Sequence, residues 1–321
     1  MTCVRPLVHE GYDRVVRSRE EAAHEVWRLF LRLIRISGGN RVRKPNSDRR
    51  DSTDDGGQVR TALLLAAGVG ARLAPLTNSR PKCLVSVAGT PILERLVRAL
   101  DGHGIDRLVI VVGYRAEMIR AYLGESFGGI AVEYVFSPLF ATTNTLYSLW
   151  LARDLIDEPL LVIESDVVFD EPLLVPLLRS DRIAVSRQLP WMNSSTVTLD
   201  AGGIVSAYFS QPPGVYDHSI DADRFVTVNI CSLGRDAWRE VGVRLDRHVA
   251  AGHACSFHDI VFNEMIADGS MVLSAVIFPA ERWYEIDAPA DRDAAELVFS
   301  RRTRSARGAQ QRKPRSSGAT R

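Results

Sequence analysis

The sequence predicts a Rossmann-like, three-layer α/β fold with a mostly parallel central sheet and a smaller antiparallel part. Three observations predict it. Short apolar runs at 63–67, 107–112 and 160–163 have the length of buried strands and alternate with stretches of helical periodicity. The first run leads straight into Gly68-Val69-Gly70, a glycine loop at a strand end, where such folds bind ligands. Past Ser186 the texture changes, and Asp200-Ala201-Gly202-Gly203 marks a tight hairpin.

Taken in order, residues 1–59 read as an N-terminal extension. Ala23, Val26, Trp27, Phe30, Leu31, Leu33 and Ile34 recur at helical spacing, with Arg28, Arg32 and Arg35 on the polar side. A helix packed on its own domain or on a second copy is the first reading; a membrane surface or partner groove is the other. Residues 38–58 read as a linker. The main domain is expected over 60–300. Its first strand is 62–66, and Thr90 is expected to cap a helix with Pro91 at its first position. A strand at 107–112, a helix at 116–123, a strand at 130–136 and a helix at 144–152 follow. A strand at 160–163, a helix at 172–178 and a strand at 182–186 complete the parallel part. The antiparallel part has strands at 196–199, 204–209 and 225–233. It continues with helices at 235–250 and 257–267, a strand at 271–277, the segment 283–287 and a helix at 289–299. Residues 301–321 carry eight Lys or Arg and no acid, and read as a basic disordered tail.

Composition bounds the function. The chain has 321 residues, 46% hydrophobic and 25% charged, as expected of a globular protein with a sizeable core. The formal net charge of +1 conceals an acidic middle between basic ends, which argues against a nucleic-acid-binding domain. No run reaches membrane-spanning length and no signal-peptide pattern opens the chain, so a cytoplasmic protein is expected. The four cysteines are scattered with no CxxC pair, as expected of reduced thiols.

The chemistry concentrates in one stretch. A glycine loop after a strand can present backbone amides to phosphates, and Arg72 and Lys82 add positive charge beside it. The ordered set Gly68-Val69-Gly70-Ala71-Arg72-Leu73, Pro75-Leu76-Thr77 and Pro81-Lys82 resembles the nucleotidyltransferase superfamily that includes sugar-1-phosphate nucleotidyltransferases. Val112-Gly113-Tyr114-Arg115-Ala116-Glu117, the run from Thr143 to Trp150, and Trp283-Tyr284-Glu285-Ile286-Asp287 look most like its phosphocholine cytidylyltransferase branch. That branch includes relatives that charge phosphonates such as 2-aminoethyl- or 2-hydroxyethylphosphonate with CMP. The resemblance covers 60–300. Three positions depart from it: Ala71 replaces a hydroxyl residue, Cys83 follows Pro81-Lys82 where proline is common, and Phe257-His258-Asp259 stands where Tyr-Tyr-Glu is frequent.

The resemblance implies an enzyme that uses CTP and Mg²⁺, transfers CMP to phosphocholine or a similar small phospho- or phosphono-compound, and releases pyrophosphate. Arg72 would grip the β- and γ-phosphates and Lys82 would stand between the α-phosphate and the acceptor. Leu65, Ala66, Ala67, Gly68 and Gly70 would line the nucleotide. Asp166 and Asp287 would hold the metal, with caps of neighbouring turns or helices as the other reading for both. Glu164 and Glu285 are supporting carboxylates. Asn144, Trp191 and Trp283 are the candidates for the acceptor site; the alternatives are a helix N-cap for Asn144 and core packing for the tryptophans. Tyr147, Tyr208 and Tyr216 are further aromatics, His258 is expected to make local hydrogen bonds, and Asp217, Asp221 and Asp223 lie in a loop able to cover the acceptor. Within the same enzyme class the alternative is a sugar-1-phosphate nucleotidyltransferase; outside it, a non-catalytic nucleotide sensor. A homo-oligomer is compatible with the sequence.

Overall fold

The computed structural model describes residues 58–189, 192, 194–210 and 223–311. The expected helix at 20–36, most of the linker, Trp191, Tyr216, Asp217 and Asp221 lie outside the described residues.

The elements are β1 (Thr61–Ala66), β2 (Ser86–Val87), β3 (Thr90–Pro91), α1 (Ile92–Gly102), β4 (Arg107–Val112), α2 (Ala116–Leu123), β5 (Ser126–Phe127) and β6 (Ile130–Phe136). They continue with α3 (Thr145–Ala152), β7 (Leu160–Glu164), β8 (Val167–Phe169), β9 (Arg182–Arg187), β10 (Thr196–Leu199), β11 (Val205–Phe209) and β12 (Phe225–Leu233). The last are α4 (Arg235–Ala250), α5 (Asp259–Ala267), β13 (Ser274–Ile277), β14 (Trp283–Glu285) and α6 (Pro289–Gln311).

Among the described residues the main sheet has ten strands. Its centre is parallel: β1 lies between β4 and β7, and β4 continues to β6. β12 joins antiparallel to β7 and carries the hairpin β10–β11 on one side and β9 with β13 on the other. Side chains alternate across each strand. Ala62, Leu64 and Ala66 of β1, with Leu108, Ile110 and Val112 of β4, share a core with Leu93, Leu96 and Leu100 of α1 and Ile119 of α2. On the other face α3 packs against β1 and β4. The three layers follow, because the central strands are apolar on both faces and need a cover on each.

Four local expectations are corrected. Thr90 does not cap α1: it pairs with Val87 in a two-stranded ribbon, and Pro91 precedes the helix without a side-chain cap. The Ile92 amide instead donates to Val85 O at 3.0 Å, so the helix end is satisfied by backbone. The segment 171–178 is a 3-10 helix with Pro176 inside it, a residue that removes an amide and disfavours a continuous α-helix. The strand expected from Met271 begins at Ser274, since the Met271 amide closes the end of α5 on Met265 O. Finally, α6 runs on to Gln311, eleven residues into the stretch read as a disordered tail; Arg, Ala and Gln there are good helix formers.

Candidate active site

The glycine loop leaves β1 at its carboxyl end. Leu65, Ala66 and Ala67 are buried, and two of their carbonyls are already bonded: Leu65 O accepts from Ser165 N at 3.2 Å and Ala67 O from Tyr114 N at 3.0 Å. The close approach is made by Gly113, where a Cβ would meet Phe140 Cβ at 2.6 Å and Ala67 O at 2.7 Å. Gly68 is different: a Cβ there would meet no protein atom within 4 Å. Gly68 therefore borders open space at the mouth of the loop, where a ligand has room. Gly70 is left-handed at φ 66°, and Thr77 Oγ1 donates to its carbonyl at 2.9 Å.

From this loop Arg72 and Lys82 meet Asp166 and Asp287. Lys82 Nζ stands 2.7 Å from Asp166 Oδ2 and 2.6 Å from Asp287 Oδ1, and Arg72 Nη2 is 2.7 Å from Asp287 Oδ2. Four residues spread over the sequence from 72 to 287 thus form one network. Apolar neighbours explain why. Leu73, Val168 and Ile286 share a small core with Val85, Ile92, Ala295 and Phe299, so the residues beside Arg72, Asp166 and Asp287 are packed into one unit. The ribbon β8–β14 adds backbone register, with Val167 opposite Glu285, and Ile286 N donates to Asp166 O at 3.0 Å.

Asp287 is not the cap of α6. Asp291, in the first turn of the helix, serves the amides before it: its Oδ2 accepts from Asp287 N at 3.0 Å and Ala288 N at 2.7 Å. That leaves the Asp287 carboxylate to the two cations. Asp166 likewise caps no helix, and its Oδ1 is buried with no hydrogen-bond partner. Asp166, Asp287 and Glu285 bring one oxygen each within 4.8 Å of one another. Three hard carboxylate oxygens, one of them orphaned, suit a divalent cation of the oxygen-seeking kind. Glu285, read in the sequence only as a supporting carboxylate, belongs to this cluster. Its signal was the two-residue spacing from Asp287 at the end of a strand.

The electrostatics are those of a crowded buried network. Burial opposes charge on Lys82, but Asp166 and Asp287 outweigh it and hold the ammonium above the ordinary lysine range. Burial alone would raise Asp287; Lys82 and Arg72 reverse this and hold it below the usual aspartate value. Glu285 goes the other way, lifted well above the usual range by burial and then by Asp287 and Asp166. Glu164 is lifted by burial and then by Asp166 and Asp259. Cys83, one of the departures, is a buried free thiol pushed up to about 12 by burial, a packing residue with no nucleophilic character.

The acceptor candidates fare differently. Trp283 is 2% exposed and lies in the main core, the place its packing reading implies, with its Nε1 buried and without a hydrogen-bond partner. Asn144 is the N-cap of α3: its side chain accepts from Thr145 N at 2.9 Å. Tyr147 is buried and stacked on Trp150. Sequence reasoning missed Asn229. β12 shifts register between Thr227 and Cys231, Asn229 takes φ 58°, and its Nδ2 donates to Glu285 Oε1 at 3.2 Å. A bulge re-aims a side chain toward a site in this way; nothing in the apolar alternation of 225–233 signals it.

Known proteins resemble this chain. The family model described as Nucleotidyl transferase matches residues 61–181. CMP-5'-(3-aminopropyl)phosphonate synthase of Streptomyces rubellomurinus is 33% identical over 264 residues, which is 79% of this chain and 41% of that protein. The chain thus spans less than half the length of this relative. 2-Aminoethylphosphonate cytidylyltransferase of Lancefieldella rimae is 28% identical over 72% of this chain and 89% of its own length. A solved CTP:phosphocholine cytidylyltransferase from Streptococcus pneumoniae superposes with a TM-score of 0.62 at 22% identity, over 75% of this chain and 100% of its own, which shows a common fold.

Proposed function

We propose that this chain, which carries a nucleotidyl transferase domain over residues 61–181, transfers CMP from CTP to a small phospho- or phosphono-acceptor and releases pyrophosphate. The observation that carries the reading is the junction of Lys82 with Asp166 and Asp287, flanked by Arg72 on Asp287. Two cations and a carboxylate cluster at the mouth of a strand-end glycine loop are what a reaction between anions needs.

In the reaction an oxygen of the acceptor's phosphate or phosphonate bonds to the α-phosphorus of CTP. The bond from that phosphorus to the oxygen bridging the α- and β-phosphates breaks, and its electron pair leaves on pyrophosphate. The nucleophile is already an anion, so the barrier is charge repulsion and alignment more than proton transfer. Arg72, about half exposed at the loop, would on this reading turn from Asp287 to the β- and γ-phosphates, which a guanidinium can grip with two donors. Lys82 keeps its charge in the buried network and on this reading would hold the α-phosphate and acceptor anions close together. Asp166 and Asp287, with Glu285 beside them, would hold Mg²⁺, which when bound screens phosphate charge at the reacting centre. On this reading Leu65, Ala66, Ala67, Gly68 and Gly70 would line the nucleotide, with Gly68 at the open side of the loop. The catalytic unit on this reading is 60–300, acting in the cytoplasm, where nucleoside triphosphates are supplied. Among the described residues no helix is long and apolar enough to cross a membrane.

The test is a matrix of nucleoside triphosphates against acceptors, read by pyrophosphate release. CTP with phosphocholine or a phosphonate is the expected productive pair. Turnover only with a sugar 1-phosphate would replace the acceptor class, and nucleotide binding without turnover on any acceptor would make the chain a sensor.

A further inference from the structure

Between Arg72 and Lys82 the chain loops out as segment 74–80, flanked by the 3-10 turns Ala71–Leu73 and Lys82–Leu84. Within it only Thr77 is buried. Its backbone amides bond locally, Ala74 N to Ala71 O, Leu76 N to Leu73 O and Asn78 N to Pro75 O. Among the described residues, the hydrogen bonds that tie the segment to another strand or helix end come from Tyr114 and Arg115, in the turn from β4 to α2. We infer that Tyr114 and Arg115 are positioning residues for the nucleotide: they latch segment 74–80, and through it set Arg72 and Lys82 for the triphosphate of CTP. The inference rests on the transfer reading above for the identity of the nucleotide.

Tyr114 grips the glycine loop at both ends. Its amide donates to Ala67 O at 3.0 Å, just before the glycines. Its hydroxyl faces Thr77 O at 3.0 Å and Asn78 O at 3.1 Å and can share its one proton between them. Thr77 Oγ1 carries the connection on to Gly70 O at 2.9 Å. Arg115 completes the latch. Its Nε donates to the Tyr114 hydroxyl oxygen at 3.0 Å and its Nη2 to Asn78 O at 3.0 Å, with the guanidinium 5.4 Å from the Tyr114 ring centre. Arg72 thus lies between two held points, Gly70 and Thr77. Only its side chain has to turn from Asp287 to a phosphate, so little ordering remains to oppose binding.

The backbone of Arg115 points the same way. It stands at the N-cap of α2 with φ 49° and ψ 42°, a left-handed conformation that is unfavourable for a residue with a Cβ. An N-cap suits Ser, Thr, Asp or Asn, whose side chains accept from the first helix amides, and Arg115 makes no such bond. The helix gains nothing from an arginine here, while the loop gains two donors. Strained residues of this kind persist where surrounding contacts over-determine them, and they cluster at ligand sites. The close packing of Gly113 on Ala67 O brings the turn near enough for Tyr114 to reach across the loop.

The experiment measures CTP binding to the full chain by titration calorimetry with Mg²⁺ present, and the KM of each substrate by pyrophosphate release. Tyr114→Phe keeps the ring beside Phe140 and removes only the hydroxyl. Arg115→Gly relieves the left-handed strain and removes the guanidinium. Each should weaken CTP binding by about three- to tenfold, the worth of one hydrogen bond, raise KM for CTP alike, and leave the acceptor KM as it was. A purely structural role predicts something else for Arg115→Gly: a thermal midpoint kept or raised, with CTP affinity unchanged. Tyr114→Phe, the milder change, decides alone if Arg115→Gly lowers the midpoint. Unmodified CTP affinity in the folded variants overturns the latch and leaves the transfer reading standing. An acceptor KM that rises as much as the KM for CTP overturns it too, since the loosening would then be general. Weakened CTP binding in the variants, with no pyrophosphate from any acceptor in the unmodified protein, supports the latch and overturns the transfer reading. No CTP binding by the unmodified protein overturns both.

Discussion

A Cβ at Gly70 would stand 3.1 Å from the Cβ of Lys82, and Gly70 holds φ at +66°. The glycine loop and the lysine are therefore in contact through a position that tolerates no side chain without strain. Gly70→Ala should cost about 1–2 kcal/mol from the left-handed backbone alone. The new methyl also crowds Lys82 and Thr77 Cγ2, the latter at 3.2 Å. The expected result is a lower denaturation midpoint together with a fall in kcat for CMP transfer. A variant with lowered stability but full kcat would show that the contact does not position Lys82.

Lys82 neutralises two carboxylates at once, so it and they are predicted to fail together. Lys82→Met and Asp166→Asn should each lower kcat/KM by about a hundred- to a thousandfold while the far-ultraviolet circular dichroism stays that of the folded protein. Chelation of divalent metal should abolish the reaction and added Mg²⁺ should restore it. Near-normal turnover by folded Asp166→Asn would remove this residue from the metal assignment.

Trp283 separates core packing from acceptor binding. It is 2% exposed and belongs to the main core. Trp283→Ala should lose about 3–5 kcal/mol of stability. Trp283→Phe, a milder change in volume, should keep the acceptor KM unchanged in the population that remains folded. A selective rise in acceptor KM, with stability intact, would return Trp283 to the binding site.

His258 gives a pH signature. Burial pushes its pKa below the ordinary histidine value, and Asp259 only partly offsets this. The folded protein thus refuses a proton that the unfolded chain accepts. Stability therefore falls as pH drops below the ordinary histidine range, by about 1.4 kcal/mol per pH unit until the folded group also titrates. Urea unfolding at about pH 7.5 and about pH 5.5 should show a smaller difference for His258→Gln than for the unmodified protein. Equal differences would mean that His258 is not held neutral.

Most of the scaffold was legible in the sequence because its strands and helices are long enough to show a period. β4, α2, β6, β12 and α4 have the bounds that apolar spacing implies. The ribbons β2–β3 and β8–β14 were not, since two or three residues carry no period and their pairing is settled by tertiary contacts. The site shows the same division. Arg72, Lys82, Asp166 and Asp287 were read from an ordered set of motifs, and they meet. Glu285 was underrated and Asn229 missed, because a bulge and a buried carboxyl group become visible only when distant strands are paired. The burial of Trp283 was not legible, because residue type does not say which face of a ribbon meets the core.

The bond from Ile286 N to Asp166 O ties the middle of the chain to a segment made much later. A nascent polypeptide released before Asp287 would contain the glycine loop, Lys82 and the whole main sheet, yet only part of its charge network. On the proposed transfer reading, the network closes only when the segment 283–287 and the Ala295 and Phe299 positions that pack with Ile286 have been made.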